Sequence, residues 1–211
     1  MSGAARGRSG EHVADAPVRR LAPEERKALL IGAAEETFAT RGYTQAGLAE
    51  VAELAGVSKT LLYHYFPDGR PELYREVMER LVGEVVDAAR AATQAPTAPD
   101  RRLAALIEAL VTWFAAHPDA YRLLILEPWG SGDPGIVGQA MAVRARLAGE
   151  LNALLAPAGQ PLAATQAGGA AAMGALLHLC ELALAGQITT EQAVEAGQRF
   201  LAGGLGALDL I

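Results

Sequence analysis

The densest chemistry in this 211-residue chain lies between Ser58 and Phe66, where a hydroxyl is followed by Lys59, Thr60, Tyr63, His64 and Tyr65. At about 100° per residue of an α-helix, Lys59, Thr60, Tyr63 and His64 fall on one arc, and Leu62 and Phe66 share another. The second arc is expected to bury. The first then offers an ammonium, a hydroxyl, a phenol and an imidazole to solvent. No carboxylate stands between Glu53 and Asp68. Donors without acids suit phosphate oxygens and base edges, because counterion release rewards cations only. Leu61 and Tyr65 lie on a third ridge that periodicity leaves unassigned. The plainer alternative is an amphipathic surface helix carrying a few aromatics.

The neighbouring residues supply the supports. Leu48 to Ala55 read as a short helix stopped by Gly56, a residue that tolerates a tight turn, and Ser58 is a natural N-cap. Two short helices joined through Ala55-Gly56-Val57 form a helix-turn-helix, whose second helix usually enters the DNA major groove. Upstream, a helix is predicted from Pro23, with Glu24 and Glu25 at its positive end and a stripe of Leu30, Ala34 and Phe38 widened by Leu29 and Ala33. Gly42 ends it, Arg41 sits in the last turn near the DNA backbone, and Tyr43 is a core anchor. Downstream, Pro67 and Gly69 break the chain and Pro71 restarts it. Leu73, Val77, Leu81 and Val85 then step at four-residue spacing down a long helix to about Ala92, which belongs to both domains and can transmit tilt between them.

Leu30, Ala33, Ala34, Phe38 and Arg41-Gly42-Tyr43, then Val51-Ala52, Ala55 to Lys59 and Leu62 to Phe66, resemble the N-terminal domain of TetR-type (tetracycline repressor-like) regulators over roughly residues 24–80. That resemblance implies an all-α homodimer with an N-terminal DNA-binding domain. It also implies a divergent helical C-terminal domain that dimerises and often holds a small-molecule inducer. Ala46 and Gly47 stand where the family usually has Thr or Ser, so Thr44 or Gln45 is expected to cap the second helix instead. Thr60-Leu61 stand where the family often reads Gly-Thr, which makes Leu61 a candidate for contact with a thymine methyl. Arg70 takes the place of the basic residue that commonly reaches phosphate. The DNA-binding candidates are thus Arg41, Thr44, Gln45, Ser58, Lys59, Thr60, Leu61, Tyr63, His64, Tyr65 and Arg70, facing a double-stranded operator.

Composition bounds the rest. A net charge of −6 argues against nonspecific coating of nucleic acid but leaves room for a local basic patch. The single cysteine, Cys180, excludes an intramolecular disulfide and a cysteine-rich metal site, and fits a reducing cytoplasm. No secretory signal is visible. Residues 167–186 are apolar enough to raise a membrane span, but alanine and glycine give little transfer energy and Glu181 would be costly, so a buried dimer helix is expected. Residues 1–22, with Arg6, Arg8, Arg19 and Arg20, read as a disordered arm, either frayed or contacting the minor groove.

Beyond residue 100 the pattern is helical throughout. Leu103 to Phe114 end at His117-Pro118; Asp119 to Glu127 are stopped by Pro128; Trp129 to Gly135 form a loop. Helices follow over 136–155 and 162–185, and a capping box at Thr189-Thr-Glu-Gln192 opens a last helix to about Leu201. The fold class is all-α, about nine helices: an arm (1–22), a three-helix DNA-binding domain (23–70) and a larger bundle for dimerisation and effector binding (71–211). Small residues on the last long helices make Ala167, Ala170, Ala171, Gly174, Leu177 and Phe200 the candidate dimer surface. Trp113, His117, Tyr121, Glu127, Trp129, Met141 and His178 are the candidate lining of an effector pocket, apolar walls with sparse polar handles.

No catalytic residue, cofactor or metal is expected. None of the four serines (Ser2, Ser9, Ser58, Ser131) lies in a nucleophile elbow. His178 and Cys180 point about 200° apart on a helix, so a buried structural pair is expected there and not a metal site. Gly203-Gly-Leu-Gly206 follows no strand, which speaks against a phosphate loop. The sequence thus reads as a cytoplasmic, dimeric DNA-binding regulator, a repressor released from a palindromic operator by an unidentified small molecule, and not an enzyme. The alternative is a helical small-molecule binding protein or enzyme with a non-functional helix-turn-helix.

Overall fold

Pro23, with Glu24 and Glu25 beside it, starts the first helix as expected. In the computed structural model of the chain, which describes residues 22–95, 98–155 and 162–207, α1 spans Pro23–Gln45. The Glu25 carboxylate accepts from the Ala22 N–H at 2.8 Å, so an acidic side chain satisfies a donor that the helix leaves orphaned. The arm upstream of Ala22, the 157–161 break and the side chains of Ala167 and of residues 202–207 lie outside the described residues.

After α1 come α2 (Leu48–Leu54), α3 (Lys59–Tyr65) and α4 (Arg70–Thr93). The i+4 ladder of α4 is buried along its whole length, from Leu73 and Val77 to Leu81 and Val85. It packs against α1, α5 (Pro99–Ala116) and α8 (Pro134–Leu155). One helix therefore serves the cores of both halves. Phe38 and Phe66 are fully buried in the N-terminal half, each worth about 2–3 kcal/mol of apolar transfer.

The stretch after α5 departs from expectation. Pro128 does not stop a helix. Instead α6 (Pro118–Tyr121) runs into a π turn (Arg122–Leu126) and on into α7 (Glu127–Gly130). Pro128 stands in the first turn of α7, where a missing N–H costs little. The glycine-rich loop is also shorter than expected, because Asp133 caps the next helix. Its carboxylate accepts from Gly135 N–H at 2.8 Å, and Pro134 fills the first turn of α8.

The remaining helices are α9 (Leu162–Leu184) and α10 (Thr190–Ala207). Gly186, at φ 68°, ends α9 as expected. The Thr189–Gln192 box closes reciprocally, with Gln192 Oε1 accepting from Thr189 N–H at 2.8 Å and Thr189 Oγ1 accepting from Gln192 N–H at 3.1 Å. The last helix does not end before Gly203-Gly204 but continues to Ala207. Two glycines cost about 1 kcal/mol each in a helix, which weakens one already nucleated without breaking it. No strand occurs among the described residues.

Candidate nucleic-acid interface

Three backbone devices set the reading helix. The first is Gly42, at φ 76° and ψ 163°, which bends α1 before its assigned end at Gln45. The second is the end of α2, where Gly56 N–H donates to Glu53 O at 3.0 Å and Val57 N–H donates to Ala52 O at 2.9 Å. That pair of bonds is a Schellman motif, with Gly56 at φ 65° in the left-handed position it requires. The third is Ser58, whose hydroxyl accepts from Leu61 N–H at 3.2 Å and caps α3.

On α3, Leu62 and the capping residue Phe66 are fully buried, while Lys59, Thr60, Tyr63 and His64 are exposed. The helical phase thus sorts the segment as its spacing indicates. Leu61 and Tyr65 are half-buried, and Tyr65 meets the His64 ring edge-on at 5.6 Å between centroids. Lys59 Nζ lies 5.9 Å from the Tyr63 ring centre, one turn along, within reach of a cation–π contact. The exposed face is one cation, two rings (a phenol and an imidazole) and hydroxyls, with no acid within the helix.

The flanking candidates have partners of their own. Arg70, at the first position of α4, donates from Nη1 to Thr44 O at 2.9 Å and lies over the Tyr43 ring at 5.7 Å. It ties the start of α4 to the α1–α2 connection while staying partly exposed. Arg41 pairs with Glu50 at 3.2 Å, an exposed contact of small worth that a phosphate could replace. Thr44 and Gln45 are exposed, but neither caps α2. Its N-cap is Gly47, which has no side chain to bond the first turn.

Behind this face, Phe38, Tyr43 and Tyr74 form an aromatic cluster, with Tyr74 edge-on to both others at 5.0 Å. Burial pushes the Tyr74 and Tyr43 phenols above their ordinary range, so both stay neutral donors. Tyr74 spends its proton on Leu123 O at 2.7 Å, in the π turn. Glu127 accepts from the Tyr43 N–H at 2.6 Å. Sequence reasoning missed both links. Tyr74 carried a signal, since a buried Tyr needs a partner for its hydroxyl. Glu127 carried none, being 84 positions away from Tyr43.

The seven pocket candidates are not brought to one cavity. Trp129 and Met141 are about half exposed, and His178 is exposed and pairs with Glu181 at 3.4 Å. Tyr121 is buried with its hydroxyl spent on Leu177 O at 2.9 Å. Trp113 stacks on the exposed His117 at 4.4 Å, and Glu127 faces the N-terminal domain. Residue type selected this set, and packing assigned its members to separate places. The expected buried His178–Cys180 pair is likewise corrected. Cys180 alone is buried, its thiol pushed up to about 12 and therefore unreactive.

Of the dimer candidates, Ala170, Ala171, Gly174 and Phe200 are exposed. Leu177, two turns beyond Ala170 and close to it in helical phase, is buried within its own subunit. Among the described residues no group of three or more His, Cys, Asp or Glu is placed to hold a metal ion, and no helix is long and apolar enough to cross a membrane.

A family model described as bacterial regulatory proteins, tetR family, matches residues 30–77. The chain is 40% identical over 105 residues to the HTH-type transcriptional activator FasR of Mycolicibacterium smegmatis, covering 50% of this chain and 48% of that protein. It spans about half the length of the curated relatives it matches. Among solved structures, a TetR-like transcriptional regulator from Rhodococcus sp. RHA1 superposes with a TM-score of 0.67 at 21% identity, covering 89% of this chain and 99% of that one. The fatty acid degradation regulator FadR from Bacillus halodurans gives 0.70 at 21% identity, covering 84% and 98%. At those identities the likeness shows the fold.

Proposed function

Because residues 30–77 match the tetR family model and the fold is shared with TetR-like regulators over most of the chain's length, we propose that it is a TetR-type regulator, a homodimeric repressor that leaves a palindromic operator when a small molecule binds. The observation that carries this reading is the outward face of α3, where Lys59, Thr60, Tyr63 and His64 are exposed above buried Leu62 and Phe66. Such a face gives hydrogen-bond donors and one cation to the major groove and repels nothing in it.

One seven-residue helix offers few contacts, so a dimer is part of the proposal. Two α3 helices related by a twofold axis read two half-sites with the avidity that one lacks. The exposed small residues Ala170, Ala171 and Gly174 on α9, with Phe200 on α10, provide a surface on which two subunits approach closely. Release by an effector requires differential affinity. A ligand that prefers a helix arrangement with mismatched α3 spacing shifts the population off DNA, and one that binds both arrangements equally does nothing. FasR is named an activator, and the contact chemistry of a helix that reads DNA does not set the sign of regulation. Repression is the sense proposed here.

The test is selection of bound duplexes from a random pool, followed by anisotropy titration at several salt concentrations. An enriched inverted repeat and a steep fall of affinity with salt are expected. A flat enrichment profile from the folded protein would leave the alternative, a helical binding protein whose helix-turn-helix reads no sequence.

A further inference from the structure

The Glu127 carboxylate is the acceptor for a donor that the fold of α1 leaves stranded. At Gly42 the backbone leaves helical geometry (φ 76°, ψ 163°), which turns the Tyr43 N–H away from the helical direction. Tyr43 is buried, so that N–H has little water to turn to. Glu127 Oε1 accepts it at 2.6 Å, a short charge-assisted bond from the far half of the chain. The site leaves no room for a side chain at position 42. A Cβ there would lie 2.6 Å from Glu127 Oε1, and the positive φ would strain it in any case.

From these observations we infer that Glu127 is a positioning residue for DNA binding, holding the α1–α2 connection so that α3 keeps one orientation. The inference rests on the DNA-binding reading for its affinity measurement alone. Three features support it. The bond falls at the point where the chain leaves α1 and heads into the helix-turn-helix, so it fixes the exit direction of the reading unit. The Tyr43 side chain is held from two further sides, by Tyr74 and by Arg70, which itself grips Thr44 O. Glu127 follows directly on the π turn at Arg122–Leu126, whose Leu123 carbonyl takes the Tyr74 hydroxyl. One segment of the C-terminal half thus bonds both to α1, at Tyr43, and to the start of α4, at Tyr74. π turns hold one residue more per turn than α-helix and recur at functional sites. A loss of that extra residue would rotate Glu127 away from Tyr43.

The test uses the full chain and its selected operator duplex, with two readouts: amide exchange at Tyr43 by NMR, and operator affinity by anisotropy. In E127A the Tyr43 amide is expected to exchange at least about tenfold faster, and affinity to fall about tenfold as the binding-competent fraction drops. E127Q keeps an oxygen acceptor at the same reach and is expected to restore both to within about threefold of wild type. Should E127A not fold, E127D, which keeps the charge but falls short of Tyr43, is measured the same way with the same expectation. Wild-type affinity in the folded alanine or aspartate variant overturns the inference, even if Tyr43 exchanges faster. A loss of affinity with Tyr43 exchanging as in wild type overturns it as well. If the wild-type protein binds no selected duplex, it is the DNA-binding reading that has failed, and an unchanged Tyr43 exchange rate in E127A would separately remove the bond from consideration.

Discussion

α3 and the surface formed by α7 to α9 were both singled out by residue type, and they turn out differently. Along α3 each side chain whose arc could be assigned lies where that arc puts it, with Leu62 and Phe66 inside and Lys59, Tyr63 and His64 outside. Around Trp129, Met141 and His178, aromatic and sulfur side chains expected to close around a cavity stand in solvent. A surface that a partner reads is set by local helical phase, which a short sequence contains. A cavity is set by how distant helices meet, and no local period encodes that.

The contrast is sharpest in stability. Phe66→Ala is expected to cost about 3–5 kcal/mol in urea unfolding, whereas Trp129→Ala, at a site half open to solvent, should cost less than about 0.5 kcal/mol. Similar losses from the two would erase the distinction drawn here. In DNA binding the double variant Lys59→Ala with Tyr63→Ala should lower operator affinity roughly 100-fold while leaving the urea midpoint in place, since both side chains are exposed. His178→Ala with Met141→Ala should leave affinity unchanged.

On α9 the comparison can be made within one helix. Gly174→Arg, on the exposed face, should raise the dimer dissociation constant about tenfold in sedimentation equilibrium without unfolding the subunit. Leu177→Ala, at a buried side chain one turn further on, should instead lower subunit stability. The smallest effect is expected at Glu35, which faces Arg80 and Glu84 on α4 and Asp119 on α6. Burial raises its carboxyl above the ordinary 4.5, and Arg80 offsets this only in part. Because its folded-state value lies above the unfolded one, the ionised carboxylate subtracts stability. That loss is absent below about pH 4.5 and develops as pH rises through the folded value. Glu35→Gln should therefore be more stable than wild type at pH 7 by less than about 1 kcal/mol, the difference vanishing near pH 4, as followed by thermal melts.

Much of the N-terminal half, and the start of α10, was legible because the determinants are short-range. Gly56 and Ser58 announce the turn and cap, the i+4 ladder announces α4, and Thr189–Gln192 announces α10. Asp133-Pro134 was equally readable as a cap followed by a first-turn proline, but the glycines around it suggested a longer loop. Pro128 misled because a proline inside a helical pattern usually ends it, and here it falls in the first turn after a π turn. Glu127 and Leu177 depend on which helix lies opposite, and their own neighbours in sequence say nothing of that.

The unbroken length of α4 has a consequence for aim. Its 24 residues, rising about 1.5 Å each, make a rod of about 36 Å. A swing of about 5° at its far end displaces the Arg70 end by about 3 Å, close to the roughly 3.4 Å between successive bases of a strand. The angular tolerance for placing Arg70 and the adjoining α3 against successive bases is thus a few degrees.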